Sequence, residues 1–191
     1  MGFAARQRFT FEDYVLLEET STVKHEFLDG HVWAMAGGTP DHGAIAANVI
    51  MLLGSQLRDR PCRVFTSDVR IRVQATGLAT YPDVTVICGQ QEMDPADPGR
   101  NTVINPRVVV EVLSPSTEDY DRGEKLAHYK QIPALQDILL IAHEEQRIER
   151  WRRVGDHWEL DVVRGGQAVS IESIDCTLAA TEVYRNPLAA G

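Results

Sequence analysis

Three short segments hold the residues best suited to chemistry: Tyr81-Pro82-Asp83, Val108-Val109-Val110-Glu111-Val112-Leu113 and Gly123-Glu124-Lys125. Cleaving a phosphodiester requires a cation on a non-bridging oxygen, an activated water and compensation of charge in the pentavalent transition state. Magnesium takes oxygen ligands and is commonly held by one or two carboxylates, with water and substrate phosphate completing its shell. A neighbouring lysine orients or deprotonates the water, or stabilises the developing charge. Asp83 and Glu111 as metal ligands and Lys125 as that lysine make up the minimal kit. Each also has an ordinary alternative: Glu111 as the ion-pair partner of Arg70 or Arg72, Asp83 as a turn residue, Lys125 as a solvated helix residue. Convergence of the three separates the two readings.

The elements that must position them are legible in outline. Pro82 lacks an amide N–H and belongs at a strand start or edge, which puts Asp83 at the beginning of a strand running to Cys88. Glu111 interrupts an apolar run of the kind buried on both faces, where an unpaired carboxylate is costly. A helix is expected from Asp121, as N-cap, to Gln131, with Pro133 stopping it. Lys125 then falls in the first turn, against the helix dipole.

Upstream, Thr10 and Asp13 form a capping-box pattern for a helix ending near Thr20. His25 to Met35 reads as a hairpin turning at Asp29-Gly30. His42 to Leu57 has apolar residues at helical spacing. Strands are expected at 63–66, 69–73 and 137–142, and a hairpin at 147–163 around Val154-Gly155-Asp156. Residues 74–80 read as a turn, 89–105 as a long exposed loop, and the C-terminal stretch as at most one short strand. The order indicates a single α/β (α+β) domain.

The chain has 191 residues, 43% hydrophobic and 25% charged, which suits one globular domain. The longest apolar runs are strand-sized, too short to span a bilayer, and no apolar stretch follows the basic N-terminus, so a cytoplasmic protein is expected. Cys62, Cys88 and Cys176 are odd in number and lack CxxC spacing, which argues against a disulfide framework and a zinc site. The net charge of −9 argues against an extended basic face for nucleic acid.

Tyr81-Pro82-Asp83-Val84, Val110-Glu111-Val112-Leu113-Ser114-Pro115-Ser116-Thr117 and Asp121-Arg122-Gly123-Glu124-Lys125 resemble the signature blocks of the Uma2 family, within the PD-(D/E)XK restriction-endonuclease-like superfamily. Lys24-His25-Glu26-Phe27-Leu28-Asp29-Gly30, His42 and Ser67-Asp68-Val69-Arg70 fit the same pattern. The resemblance spans residues 8–185, leaving 1–7 and 186–191 as tails. It implies a mixed β-sheet core flanked by helices and a magnesium-dependent nuclease site, with manganese as an alternative ion. Asp83 and Glu111 would be the metal ligands, Glu26 an additional acid and Lys125 the catalytic lysine. The wider superfamily places its lysine two residues after the Glu; here that residue is Leu113, and the lysine comes from the next helix.

His42 either lines the site or caps its helix, and Asp68 either orients site residues or closes a turn. Arg150, Arg152 and Arg153, with Trp151 and Trp158, make a basic, aromatic hairpin that would touch a nucleic-acid backbone or else present one wet face. The expected activity is a metal-dependent endonuclease acting on nucleic acid, DNA first, possible as a homodimer because double-strand cutters need two sites. The alternatives are a non-catalytic nucleic-acid-binding or assembly module that retains the fold, and a metal-dependent phosphohydrolase of small substrates.

Overall fold

The computed structural model describes residues 8–35, 37–186 and 188. Residues 1–7, 187 and 189–191 of the expected tails lie outside the described residues.

Helix α1 (Phe11–Thr20) carries the expected capping box, with the Thr10 hydroxyl accepting from the Asp13 N–H and the Asp13 carboxylate accepting from the Thr10 N–H. Strands β1 (His25–Leu28) and β2 (His31–Ala34) form the expected hairpin. Asp29 and Gly30 both take positive φ, 47° and 78°, as the tight turn requires. Helix α2 (Pro40–Gln56) starts two residues before the expected His42, because Thr39 caps it and Pro40 is pre-set for the first helical position.

Next come β3 (Cys62–Thr66), β4 (Arg70–Arg72), β5 (Ala79–Thr80), β6 (Val84–Cys88), β7 (Thr102–Val103) and β8 (Val108–Leu113). Strand β5 lies in the stretch read as a turn and β7 in the stretch read as loop. That loop is not exposed throughout: Asp94 and Asp97 are buried, paired with Arg72 and Arg70. Both arginines suggested as alternative partners of Glu111 are thus engaged elsewhere.

After β8 the chain forms α3 (Glu118–Tyr120), a π-helical turn (Asp121–Lys125) and α4 (Leu126–Tyr129). Asp121 is therefore inside the helical segment and buried, not its N-cap. Strands β9 (Asp137–Ala142), β10 (Arg147–Val154) and β11 (His157–Arg164) follow. The C-terminal stretch supplies two strands, β12 (Ala168–Ile171) and β13 (Cys176–Ala179), and helix α5 (Ala180–Val183), where at most one strand was expected.

The central sheet has the order β11-β10-β9-β8-β6-β3, with β8 and β9 parallel and the other neighbours antiparallel. A second sheet, β2-β1-β5-β4-β7, is likewise mixed. This is the mixed-sheet α+β architecture that the sequence led us to expect. Strand β8 is buried along its whole length, and its residues alternate between two cores. Val108, Val110 and Val112 join Ile45, Val49 and Leu53 of α2 and the C-terminal strands. Val109 and Leu113 face Leu126, Tyr129 and Ile71. Glu111 shares their parity, so it points into the layer between the two sheets.

Cys62 and Cys88 form a disulfide, contrary to the reading from cysteine number and spacing. The β3–β6 register sets them directly opposite each other, which linear spacing does not reveal. Cys88 is half-buried, and Cys176 is a buried free thiol. No helix among the described residues is long and apolar enough to cross a membrane.

Candidate active site

The β6–β8 register pairs Val84 with Val110. Continued one step, it sets Asp83 opposite Glu111. Asp83 Oδ2 accepts the Val112 N–H at 2.8 Å, which ties the carboxylate across the strand gap. Glu26 arrives from the second sheet on β1. It is directed inward by the Thr80 hydroxyl, which donates a short hydrogen bond to its Oε1. Lys125 reaches back from the π-helical turn. Its Nζ lies 3.0 Å from Glu26 Oε1, 3.0 Å from Glu111 Oε1 and 3.4 Å from Asp121 Oδ1. The Tyr129 hydroxyl donates a short hydrogen bond to the same Glu111 oxygen.

Glu26, Glu111, Asp121 and Lys125 are all about 95% buried, yet each borders one open cavity of about 760 Å³. Three carboxylates thus surround one ammonium, leaving a negative excess in a poorly solvated place. Burial first, and then the charges of Asp83 and Asp121, raise the Glu111 pKa to about 8, against the pull of Lys125 and Tyr129. Asp121 is shifted upward as well, again mainly by burial. Burial disfavours the Lys125 ammonium, but Glu111, Tyr129, Glu26 and Asp121 outweigh it and push its pKa well above the ordinary value. The surrounding acids thus favour the charged form of the Lys125 amine.

His42, in the first turn of α2, borders the same cavity. Its Nε2 lies 3.2 Å from Asp83 Oδ2, and this contact is the main reason its pKa is raised. The α2 cap is supplied by Thr39, whose hydroxyl accepts the His42 N–H, so the imidazole itself is free to face Asp83. Asp68 is exposed at the rim and reaches the cavity only indirectly, holding Lys24 at 2.6 Å. Lys24 lines the cavity.

The β10–β11 arginines lie away from this cluster and are occupied within the chain. Arg150 is buried against Asp161 (2.5 Å) and Glu172. Arg152 pairs with Glu159 at 2.7 Å. Arg153 donates to the carbonyls of Leu135, Lys130 and Ile132. The hairpin's own Glu159 and Asp161, together with Glu172 and the carbonyls of residues 130–135, take up these three side chains.

Four contributors escaped the sequence: Asp121, Thr80, Tyr129 and Lys24. Asp121 stands four residues before Lys125, a pairing distance on a helix, and Lys24 stands two before Glu26. Thr80 and Tyr129 gave no signal, because only the fold brings them near.

The cluster suits a hard cation in one respect that the structure makes concrete. The contacts to Glu111 fall on Oε1 and those to Asp83 on Oδ2. No hydrogen bond among the described residues falls on Glu111 Oε2 or Asp83 Oδ1. Two carboxylates, each with an uncommitted oxygen, therefore border the same cavity, beside excess negative charge that a cation would relieve. No group of three or more His, Cys, Asp or Glu side chains among the described residues forms a ready-made cage, so water and substrate would complete such a shell.

A family model, Uma2, described as "Putative restriction endonuclease", matches residues 11–181. Two relatives come from Synechocystis sp., "Uncharacterized protein slr1290" and "Uncharacterized protein sll1609". The first is 36% identical over 176 residues, covering 91% of this chain and 90% of its own length. The second is 34% identical over 169 residues, covering 88% and 94%. A crystal structure from Anabaena variabilis ATCC 29413, titled as a putative nuclease belonging to DUF820, superposes with a TM-score of 0.68 over 86% of this chain and 91% of that one. At 19% identity, that likeness shows the fold.

Proposed function

This chain belongs to the Uma2 family, and on that premise we propose that it is a metal-dependent endonuclease hydrolysing phosphodiester bonds in nucleic acid, DNA first. The observation that carries the reading is the meeting of Glu26, Asp83, Glu111 and Lys125 in one open cavity, with the Lys125 amine 3.0 Å from both glutamates.

Asp83 and Glu111 would hold magnesium or manganese through their uncommitted oxygens. Such an ion, when bound, polarises a phosphoryl oxygen and lowers the pKa of water. The protein's own groups do the rest. Lys125 stays charged and faces the cavity, where a fixed ammonium stabilises the charge that builds on a pentavalent phosphorus. Glu26 and Asp121 hold that ammonium in place. His42 and the Val112 N–H fix the Asp83 carboxylate, and the Tyr129 hydroxyl fixes that of Glu111. Leu113, at the usual lysine position, is 1% exposed in the apolar layer, and Lys125 is the lysine in contact with Glu26 and Glu111.

The test is cleavage in magnesium of two substrates, circular single-stranded DNA and supercoiled plasmid. Asp83→Ala, Glu111→Ala and Lys125→Ala should each reduce it by about 100-fold or more. Activity that survives Glu111→Ala overturns the proposal. A non-catalytic module is the competing reading, and the saturation of Lys125 by three carboxylates favours it. Calorimetry separates the two: no uptake of magnesium or manganese by the folded protein supports the module.

A further inference from the structure

Trp33 is an anomaly on the site's own hairpin. It is 36% exposed, yet it borders the cavity that holds the buried acids. The β1–β2 register sets it directly opposite Glu26, and directly opposed residues of an antiparallel pair point to the same face. One hairpin thus presents a carboxylate and, next to it, an aromatic ring. Tyr120 braces the indole edge-on, with centroids 6.4 Å apart and planes at 82°. Tyr120 is also the residue before the turn that delivers Asp121 and Lys125. The cavity lining therefore combines charged groups with apolar ones: Trp33 beside Glu26, and Ala46, Ala47 and Ile50 of α2.

That combination matches a nucleotide, with a phosphate among the charged groups and a base on the neighbouring indole. The cavity volume, about 760 Å³, lies in the range that encloses a small molecule. A base inside a duplex is covered on both faces and is not free to stack on an indole. A duplex presents two charged backbones where a single strand presents one, so gripping it calls for more cations, and Arg150, Arg152 and Arg153 are all committed within a chain of net charge −9.

We infer that Trp33 is the stacking platform for one unpaired nucleobase beside the scissile phosphate, and that the substrate is single-stranded nucleic acid. The inference rests on the endonuclease reading for the word scissile, but stacking is testable without cleavage. Titrating Glu111→Gln protein with a short oligothymidylate should quench tryptophan fluorescence. In the same variant, Trp33→Phe should abolish the quench while retaining affinity, because Trp151 and Trp158 remain and a phenyl ring still stacks. Trp33→Leu, which keeps an apolar side chain without a π face, should weaken binding about tenfold by anisotropy of a labelled strand. Annealing the strand to oligoadenylate should remove the quench.

A quench that persists in Trp33→Phe, equal binding of strand and duplex, or no quench at all overturns the inference. Wild-type protein in magnesium decides the other matter separately. A Trp33-dependent quench without cleavage sustains the platform and overturns the nuclease. Equal cleavage of strand and duplex without such a quench does the reverse.

Discussion

Glu111 is where burial and chemistry meet. Its folded-state pKa of about 8 stands above the ordinary 4.5. Between those values the unfolded chain has released this proton and the folded chain retains it. The contribution to stability is therefore fully present below pH 4.5 and is lost as pH rises through 8. Without added metal, urea denaturation should give a stability that declines from pH 6 to pH 8.5, and Glu111→Gln should flatten that decline. A divalent ion held by Glu111 must displace the same proton, so stabilisation by magnesium should grow toward pH 8. Lys125 offers a second measurement. Lys125→Met strands the buried carboxylates of Glu26 and Asp121 and should cost about 3–5 kcal/mol in urea melts, part of it recovered by adding Glu26→Gln. Asp83 and Glu111 were legible from their settings, after a proline and inside an apolar run; Lys125 was read in a first helical turn, but the helical segment starts at Glu118 and places it further along. Thr80 and Tyr129 sit where their neighbours would put them, so nothing in the sequence marks them.

At the scale of elements, α2 is the clearest case of local structure serving the site. A Cβ on Gly38 would lie 2.6 Å from His42 Nδ1, so any larger residue pushes the imidazole away from Asp83. Gly38→Ala should lower nicking about tenfold while moving the melting temperature little, since the N-cap at Thr39 is untouched. The long strands and helices were readable because periodicity needs length. Strands β5 and β7 have two residues each, too few to show alternation. The loop carrying Asp94 and Asp97 was misread for a different reason. Its polar composition is the same whether the carboxylates face water or, as here, the guanidinium groups of Arg72 and Arg70. The π-helical turn has no sequence signature either, yet it sets Asp121 and Lys125 side by side in the cavity wall.

For the molecule as a whole, an acidic chain keeps the arginines Arg150, Arg152 and Arg153 for itself. Replacing Arg152 by Ala should leave the salt dependence of oligonucleotide binding unchanged; a slope flattened by about one unit would return that arginine to the interface. The Cys62–Cys88 bond closes β3 against β6 at the end of the strands remote from Asp83. Thiol titration should find no reactive group in the native protein, one after unfolding without reductant, and three after reduction. Cutting the bond should cost about 3 kcal/mol from the loop it closes.

Lys125 touches Glu26 of one sheet and Glu111 of the other, and nearly a hundred residues of chain separate the first of these acids from the amine. The acid cluster is completed only when both sheets have docked on the helical segment between them. A nascent chain, a proteolytic fragment or a locally unravelled copy still carries the acids, but without the charge that completes the site. Whatever the completed cluster does to nucleic acid is thereby withheld until these long-range contacts have formed.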